Sequence, residues 1–581
     1  MSGTHPESAS GGAHATEGPN TEGERRAVAD GIDLGVYRRR WTTLLVLCLA
    51  LSATMLANTS LGVALPFLSQ DLGSSLSDQQ WFSNAYALVF AGLLFTTSTV
   101  ADRYGRKLML QAGLVLFGAV SLYVCFFVGS SAELIVARGL LGLGGSMIMP
   151  VTLSILTSVF PSSERTKAVG VWAAVSGAGT ALGPVIAGLL LEVSTWHAVF
   201  AINVPVVVVA VLASIRYVPK NAGSHAPVEG GHGGIDIGGA ILSTVGITVV
   251  VYGLIDAQHV GWTAPRTLIM VVVGLLLVGA FVAWERRVKD PMLDMDLFRN
   301  AGFSASAVAL TLVFFAMIGV FFSLSQTLIL VFGYSPLGSS VAMLPMSVMM
   351  VLVAPQVGRI VGRFGPRTTI AAGLVLAACG MAGLSTLTAD SGYLHLLLPL
   401  ALTSGGMSLA MAPATDQLMA NVPRARAGMG SATNDVTREV GASLGVAVLG
   451  SVLGSAYSTQ LGPALAGLPA QAQDVAKESL PGGLQVAASL GEQGQALAQQ
   501  VVVAWMGGMR FANLAGAALI LLAALIAWIW MPRTATQAGT PAPQAAGATG
   551  TEEIGAETDP APATGTAAER DDDRPAENIS G

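Results

Sequence analysis

Ser98-Thr-Val-Ala-Asp-Arg-Tyr-Gly-Arg-Lys107 and Gly358-Arg-Ile-Val-Gly-Arg-Phe-Gly-Pro-Arg367 are two copies of one pattern, 260 residues apart. Arg103 aligns with Arg363, Tyr104 with Phe364, Gly105 with Gly365 and Lys107 with Arg367. Each copy closes an apolar run of ~20 residues, the length a helix needs to cross the core of a bilayer. A second apolar run follows each copy at once. A helix–basic turn–helix unit repeated at so long an offset implies a chain built from two halves. Paired halves of this kind mark secondary transporters, with the binding site between them.

Working outward, the composition agrees with a membrane protein. Of 581 residues, 52% are hydrophobic and only 11% are charged, and the mean hydropathy is +0.63. A soluble domain carries about 25% charged residues, so this chain cannot cover a water-facing surface of ordinary polarity. A soluble multidomain enzyme is thereby excluded. The net charge of −6 is small and gives no hold on nucleic acid. Cys48, Cys125 and Cys379 all sit in apolar runs. An odd count without short spacing makes neither a disulfide framework nor a zinc site. No metal-ligand spacing, phosphate loop or nucleophile constellation stands in the sequence, so no cofactor, no metal and no enzymatic activity are expected.

Fourteen apolar segments lie between residues 42 and 531, without period-two alternation. They read as an all-α polytopic membrane protein rather than a barrel. Basic residues fall in every second connection: Arg103, Arg106 and Lys107; Arg165 and Lys167; Arg216 and Lys220; Arg286, Arg287, Lys289 and Arg299; Arg359, Arg363 and Arg367; Arg424 and Arg426. Intervening connections such as 67–80, 129–132 and 332–336 carry none. Lys and Arg mark cytoplasmic loops. Arg38, Arg39 and Arg40 before the first segment and Arg533 after the last then place both termini in the cytoplasm. The expected division is a disordered tail over 1–38, a six-helix half over 39–217, a two-helix insert over 218–300 and a second six-helix half over 301–534. An external loop is expected at 456–505 and a second disordered tail over 535–581, where Ala, Pro, Thr, Gly and acids dominate.

Five motifs carry a family resemblance. Ala101-Asp-Arg-Tyr-Gly-Arg-Lys107 ends the second segment, and Arg138-Gly-Leu-Leu-Gly-Leu-Gly-Gly145 lies in the fourth. Gly177-Ala-Gly-Thr-Ala-Leu-Gly-Pro-Val-Ile-Ala-Gly188 lies in the fifth, Asn203-Val-Pro205 in the sixth, and Pro291-Met-Leu-Asp294 follows the eighth. In this order they resemble the major facilitator superfamily, and within it the fourteen-helix drug:proton antiporters, over residues 40–533. The resemblance implies the major facilitator fold, two six-helix halves plus two extra helices. It also implies a proton-coupled exporter of hydrophobic or amphipathic small molecules, a drug or antibiotic efflux antiporter working by alternating access. Its partners would be protons, a small-molecule substrate and the lipid bilayer, with a monomer as the working unit in a plasma membrane. The Arg-over-Lys and Ala/Gly bias points to a bacterial inner membrane. Export of one endogenous solute (a natural product, lipid or amino acid) fits the same motifs. A polytopic enzyme or a channel is the remaining class, and the two-half repeat disfavours a channel.

The resemblance makes Asp102, Arg103, Gly105 and Arg106, with Arg363 and Gly365 in the second copy, gating residues. A carboxylate at a helix end can face the positive N-terminus of another helix, and the basic side chains can pair across the gate. Gly177, Gly183, Pro184 and Gly188 match the antiporter helix, where small residues permit close approach and Pro184 bends the helix. Arg138 is implied to tune proton coupling, although Leu141 stands where the family usually has Gln. A charge within a span is costly and functional by default. Asp435, Arg438 and Glu439 share one face of the thirteenth segment at i, i+3 and i+4. With Asp416 they form either a proton-carrying site, on Asp435 or Glu439, or a structural ion-pair network. The first segment has Ala57 near the position where the family often has an acid. Asn58, Thr59 and Ser60 there either line a cavity or bond neighbouring helices. Trp81, Asn84 and Tyr86 form a cavity mouth or belong to an interfacial belt. Met343 to Met350 supply an adaptable cavity wall, or ordinary packing.

Overall fold

The computed structural model describes residues 21–219, 236–289, 291–422 and 427–531. The 535–581 tail, Lys220, Arg424, Arg426 and Arg533 fall outside them. The described residues are helical, with no strand among them. A short α1 (Glu22–Ala29) precedes the first half. That half comprises α2 (Leu34–Thr59) and α3 (Leu61–Leu72), which together make one broken crossing, then α4 (Leu76–Tyr104), α5 (Arg106–Phe127), α6 (Ser131–Val159), α7 (Ser162–Val193), and the pair α8 (His197–Ala201) and α9 (Asn203–Tyr217). The insert is α10 (Ile237–Val260) and α11 (Pro265–Glu285). The second half has α12 (Ala301–Leu330), α13 (Pro336–Leu384), α14 (Tyr393–Ala420), α15 (Ala427–Leu461), the short α16 (Ala470–Glu478) and α17 (Leu480–Ser489), and α18 (Gly494–Trp530). Among the described residues, twelve helices are long and apolar enough to cross a membrane, counting α13 once. Gly365, with φ 78° and ψ 161°, breaks α13 into two limbs. With α7, itself 32 residues long, the set is compatible with fourteen crossings.

The sequence repeat has a matching geometry in both halves. Gly105 and Gly365 both hold positive φ, 107° and 78°, a region that a Cβ disfavours. Lys107, at the start of the third helix of its half, donates from Nζ to the Val218 and Ile215 carbonyls at 2.7 and 2.9 Å. Those carbonyls end α9, the last helix of the same half. Arg367 occupies the matching position on α13, and its guanidinium lies 4.7 Å from the ring centroid of Trp528 on α18, the last helix of the second half. Each copy thus ties the third helix of its half to the last.

Prolines inside the helices leave carbonyls free, and neighbouring helices claim them. Pro150 lacks the N–H that would bond the Ser146 carbonyl, and Thr97 of α4 donates to that carbonyl at 2.7 Å. Pro66 leaves the Gly62 carbonyl free in the same way. Ser325 of α12, in the other half, donates to it at 2.7 Å. Two further bonds join the halves among the described residues: Ser340 Oγ to the Pro184 carbonyl at 2.7 Å, and the Leu337 N–H to Glu192 at 3.2 Å. All three lie at the end away from the Lys/Arg-rich connections. The insert ties to both halves at this far end, through Gln258 and His259 to Ser77 of α4 and through Trp262 to Ser455 of α15.

Two expectations are corrected. Within the tail expected over 1–38, residues 22–29 are helical. Thr21 and Glu24 form a reciprocal capping box, Asp33 caps α2, and Arg38 pairs with Glu24 at 2.9 Å. Caps and an ion pair supply the order that apolar periodicity does not. The external connection is also shorter than 456–505, because α15 continues to Leu461 and α18 begins at Gly494. Fully buried Tyr457 anchors it, its hydroxyl donating to the Ala476 and Ser479 carbonyls at 2.8 and 3.2 Å.

Candidate functional site

A cavity of about 150 Å³ lies between the halves. The first half contributes Asn58, Thr59 and Gly62 at the break between α2 and α3, Asn84 of α4 and Pro184 of α7. The second half contributes Met317 and Phe321 of α12, Met343, Met346 and Met350 of α13, and Glu439 and Ser443 of α15. The methionines make one wall soft and polarizable, so it can follow ligands of different shape. Glu439 is the one charged residue among the described residues of the lining. Asn84 is fully buried with neither side-chain amide atom bonded, and Ser443 Oγ is likewise unpartnered. Buried polar groups left without partners are costly, so these two are groups that a ligand in the cavity can satisfy.

The intrahelical charges are brought only partly together. Arg438 Nη1 stands 3.8 Å from Asp435 Oδ1, with the two side chains 40% and 20% exposed, and its guanidinium lies 4.6 Å from the Phe314 ring centroid. Charges half-exposed within a span must face an aqueous opening rather than lipid. Arg138 is fully buried. Its Nε donates to the Phe82 carbonyl at 2.7 Å and its Nη1 to the Ala57 carbonyl at 3.1 Å, and it lies 4.8 Å from the Tyr86 ring centroid. Arg138 and Arg438 both stand within electrostatic range of Glu439. Asp416, grouped with the patch from the sequence, is an exposed residue on α14 and lines none of the cavities described.

The α7 glycines form the seams. A Cβ on Gly183 would collide with the Thr59 hydroxyl, and one on Gly179 would stand 3.0 Å from Met55 Cβ, so α7 packs on α2 at its break. A Cβ on Gly188 would stand 2.6 Å from Ser340 Oγ and 2.7 Å from the Pro336 carbonyl, across the join to the second half. The side chain of Asp102 and the surroundings of Gly177 fall outside what the structure describes. Arg103 and Arg363 lie over their neighbours Tyr104 and Phe364, at 5.8 and 5.5 Å from the ring centroids. No described bond carries either of them across to the other half.

Of the cavity candidates read from sequence, Asn58 and Thr59 line it. Trp81 and Tyr86 do not. Trp81 packs on Tyr252 of α10 with ring centroids 6.1 Å apart, and Tyr86 is buried against Phe90 and Arg138. α4 turns Ser83, Asn84 and Ala87 to the cavity, which leaves Tyr86 on another face, and Trp81 is turned toward α10. Ser443 and Ser325 were not singled out from sequence. Their one signal is a hydroxyl inside an apolar span, which many spans carry.

Known proteins agree with this geometry. Residues 47–446 match the Major Facilitator Superfamily model. The chain is 33% identical over 519 residues to the tetracenomycin C resistance and export protein of Streptomyces glaucescens, covering 87% of this chain and 94% of that one. It is 34% identical over 454 residues to the multidrug efflux pump LfrA of Mycolicibacterium smegmatis, covering 78% and 88%. In fold it is similar to a bacterial homolog of the human lysosomal transporter Spinster, with a TM-score of 0.60 at 16% identity over 87% of this chain and 99% of that one. The repeated halves, the cavity between them and these matches together establish that the chain belongs to the Major Facilitator Superfamily.

Proposed function

We propose that the protein exports hydrophobic or amphipathic small molecules, drugs and antibiotics among them, in exchange for protons. The observation that carries this reading is a single carboxylate, Glu439, in an otherwise uncharged, methionine-walled cavity between the two halves. A carboxylate there can hold a proton or pair with a cationic substrate, and the competition couples the two. The printed names of the relatives, resistance, export and efflux proteins, support the same reading. Lys and Arg at one end orient that end to the cytoplasm, so both termini lie inside. The bonds Ser325–Gly62 and Ser340–Pro184 then close the outer side, and the cavity faces inward. The inner membrane of a bacterium is the membrane proposed, and a monomer the working unit. Asp435, Arg438 and Arg138 set the field around Glu439, and the two basic turns gate the inner side. Export of a compound the cell itself makes is a second reading, favoured by the Streptomyces relative named for export of tetracenomycin C.

Everted vesicles test the exchange. An imposed proton gradient drives uptake of a fluorescent amphipathic cation in wild type, and Glu439→Gln abolishes it while Asp435→Asn weakens it. Unimpaired gradient-driven uptake in both variants overturns the proton-carrying role.

A further inference from the structure

The insert encloses a second space. Near the far end, α10 fills the groove between α4 and α15 with a small apolar cluster of Leu88, Val251, Ile255 and Ala447. Nearer the basic end the filling stops, and a chamber of about 110 Å³ remains among α4, α10, α11 and α15. The residues facing across it explain the gap. α4 presents Ala91 and Gly92, and α10 presents Ser243 and Thr244, all small residues that leave space beside them. At one edge Gly92 makes room for the Thr244 side chain, since a Cβ there would collide with Thr244 Oγ1 and stand 2.8 Å from its Cβ and Cγ2. Phe281 of α11 closes the side toward lipid and is 8% exposed. Glu439 borders both this chamber and the central cavity, and so does Ala87. The two spaces therefore abut at the carboxylate.

A small apolar cavity does not hold water well. One of ~150 Å³ lined by apolar side chains stays dry and accepts a benzene-sized guest; this chamber is mainly apolar, with Ser243, Thr244 and Glu439 the polar residues described in its wall. We propose that the insert's chamber is a second binding subsite, which takes an uncharged apolar group about the size of one ring from a substrate whose polar or cationic part lies in the central cavity beside Glu439. The proposal rests on the export reading for its substrate and gives the two extra helices a binding role. It selects elongated molecules with an apolar ring held a few bonds away from the polar group, over compact molecules with the same polar group.

Equilibrium binding to the purified full-length protein tests it with two probes. One is a quaternary ammonium bearing a single benzyl group. The other is the same ammonium with a second phenyl ring on a short linker. Ser243→Leu and Ala91→Leu fill the chamber from opposite walls, and Ile241→Ala, on the exposed face of α10, is the control. Burying one ring predicts that wild type and Ile241→Ala bind the two-ring probe about ten- to a hundred-fold more tightly than the one-ring probe. Either filling variant removes that advantage and leaves one-ring affinity within about two-fold. A wild type with no preference for the second ring, a preference that survives both substitutions, or equal loss of both probes overturns the subsite. Gradient-driven export of the two-ring probe is measured separately in vesicles. Its absence alongside the expected binding pattern overturns the export reading and leaves the subsite standing.

Discussion

Ser325→Ala removes one hydroxyl, and its effect can be worked out from the backbone. Pro66 has no N–H, so the Gly62 carbonyl lacks its helical donor, and Ser325 Oγ, fully buried, takes that place at 2.7 Å. Alanine leaves a buried carbonyl unsatisfied, at a cost of about 1–3 kcal/mol. The cost falls only on the state closed at the outer end. Once α3 and α12 part, water reaches the carbonyl and serine gains nothing over alanine there. The equilibrium therefore shifts toward the outward-open state by about 5- to 150-fold, and an open fraction of about 1% rises to about 5–60%. Spin labels on cysteines at Gln70 and Thr459, exposed at the outer end of opposite halves, report the two populations as short and long distances. Cys48, Cys125 and Cys379 are replaced beforehand. Ser325→Thr keeps the hydroxyl and keeps the wild-type distribution. An Ala variant that melts like wild type and gives the wild-type distances refutes the bond as a gate closure.

Gly188→Ala places a Cβ 2.6 Å from Ser340 Oγ and 2.7 Å from the Pro336 carbonyl; it wedges the other seam apart, and a cysteine at Leu337 then reacts several-fold faster with an impermeant thiol reagent. Arg138→Lys loses the fork that reaches the Phe82 and Ala57 carbonyls together; it lowers the unfolding midpoint in detergent, by an amount corresponding to about 2–4 kcal/mol. At the first turn of α7, outside the apolar stretch, Glu164 accepts from Arg40 at 2.7 and 3.1 Å and from Tyr37 at 3.0 Å. The Arg40 bonds chiefly, against a partial opposing effect of burial, hold its carboxyl below the ordinary value of 4.5. A depressed value means the contribution is complete above pH 4.5 and is lost as pH falls through the lower folded value. Wild type therefore loses about 1 kcal/mol or less in that acid window, and Glu164→Gln, lower in stability at neutral pH, loses none of it there.

The features legible in the sequence are those set by backbone and solvent. Gly105 and Gly365 could be paired by position alone, because each turn needs a positive φ and each half needs the turn. Of the polar triplet, Asn58 and Thr59 line the cavity and Ser60 does not, and Thr59 also reaches the Gly179 carbonyl of α7 at 3.5 Å, so cavity lining and helix bonding occur in one triplet. The methionine wall was ambiguous for a physical reason: lipid and an apolar cavity impose the same preference, so Met343, Met346 and Met350 carry no mark of the side they face. Tyr86 could not be placed because its partner, Arg138, lies on another helix and is satisfied mostly by carbonyls, which leave no trace in a sequence. The Ser325–Gly62 bond has the same character. Pro66 announces a free carbonyl at Gly62, but which helix supplies the donor is decided by how the halves dock.

That docking leaves the charges unequally satisfied, and the inequality bears on coupling. Arg138 has two carbonyls and an aromatic face, while its Nη2 is buried without a partner. Arg438 has Asp435 and the Phe314 ring. None of the described hydrogen bonds or ion pairs involves Glu439, although both guanidinium groups stand within electrostatic range. A carboxylate locked in a direct salt bridge would have to break it whenever a ligand arrived, at a cost that rises as water is excluded. A carboxylate stabilised at range keeps both oxygens available. In the proposed exchange it can then hold a proton or face a substrate's cation at little cost in rearrangement, but not both together, and that exclusion makes the release of one a condition for binding the other.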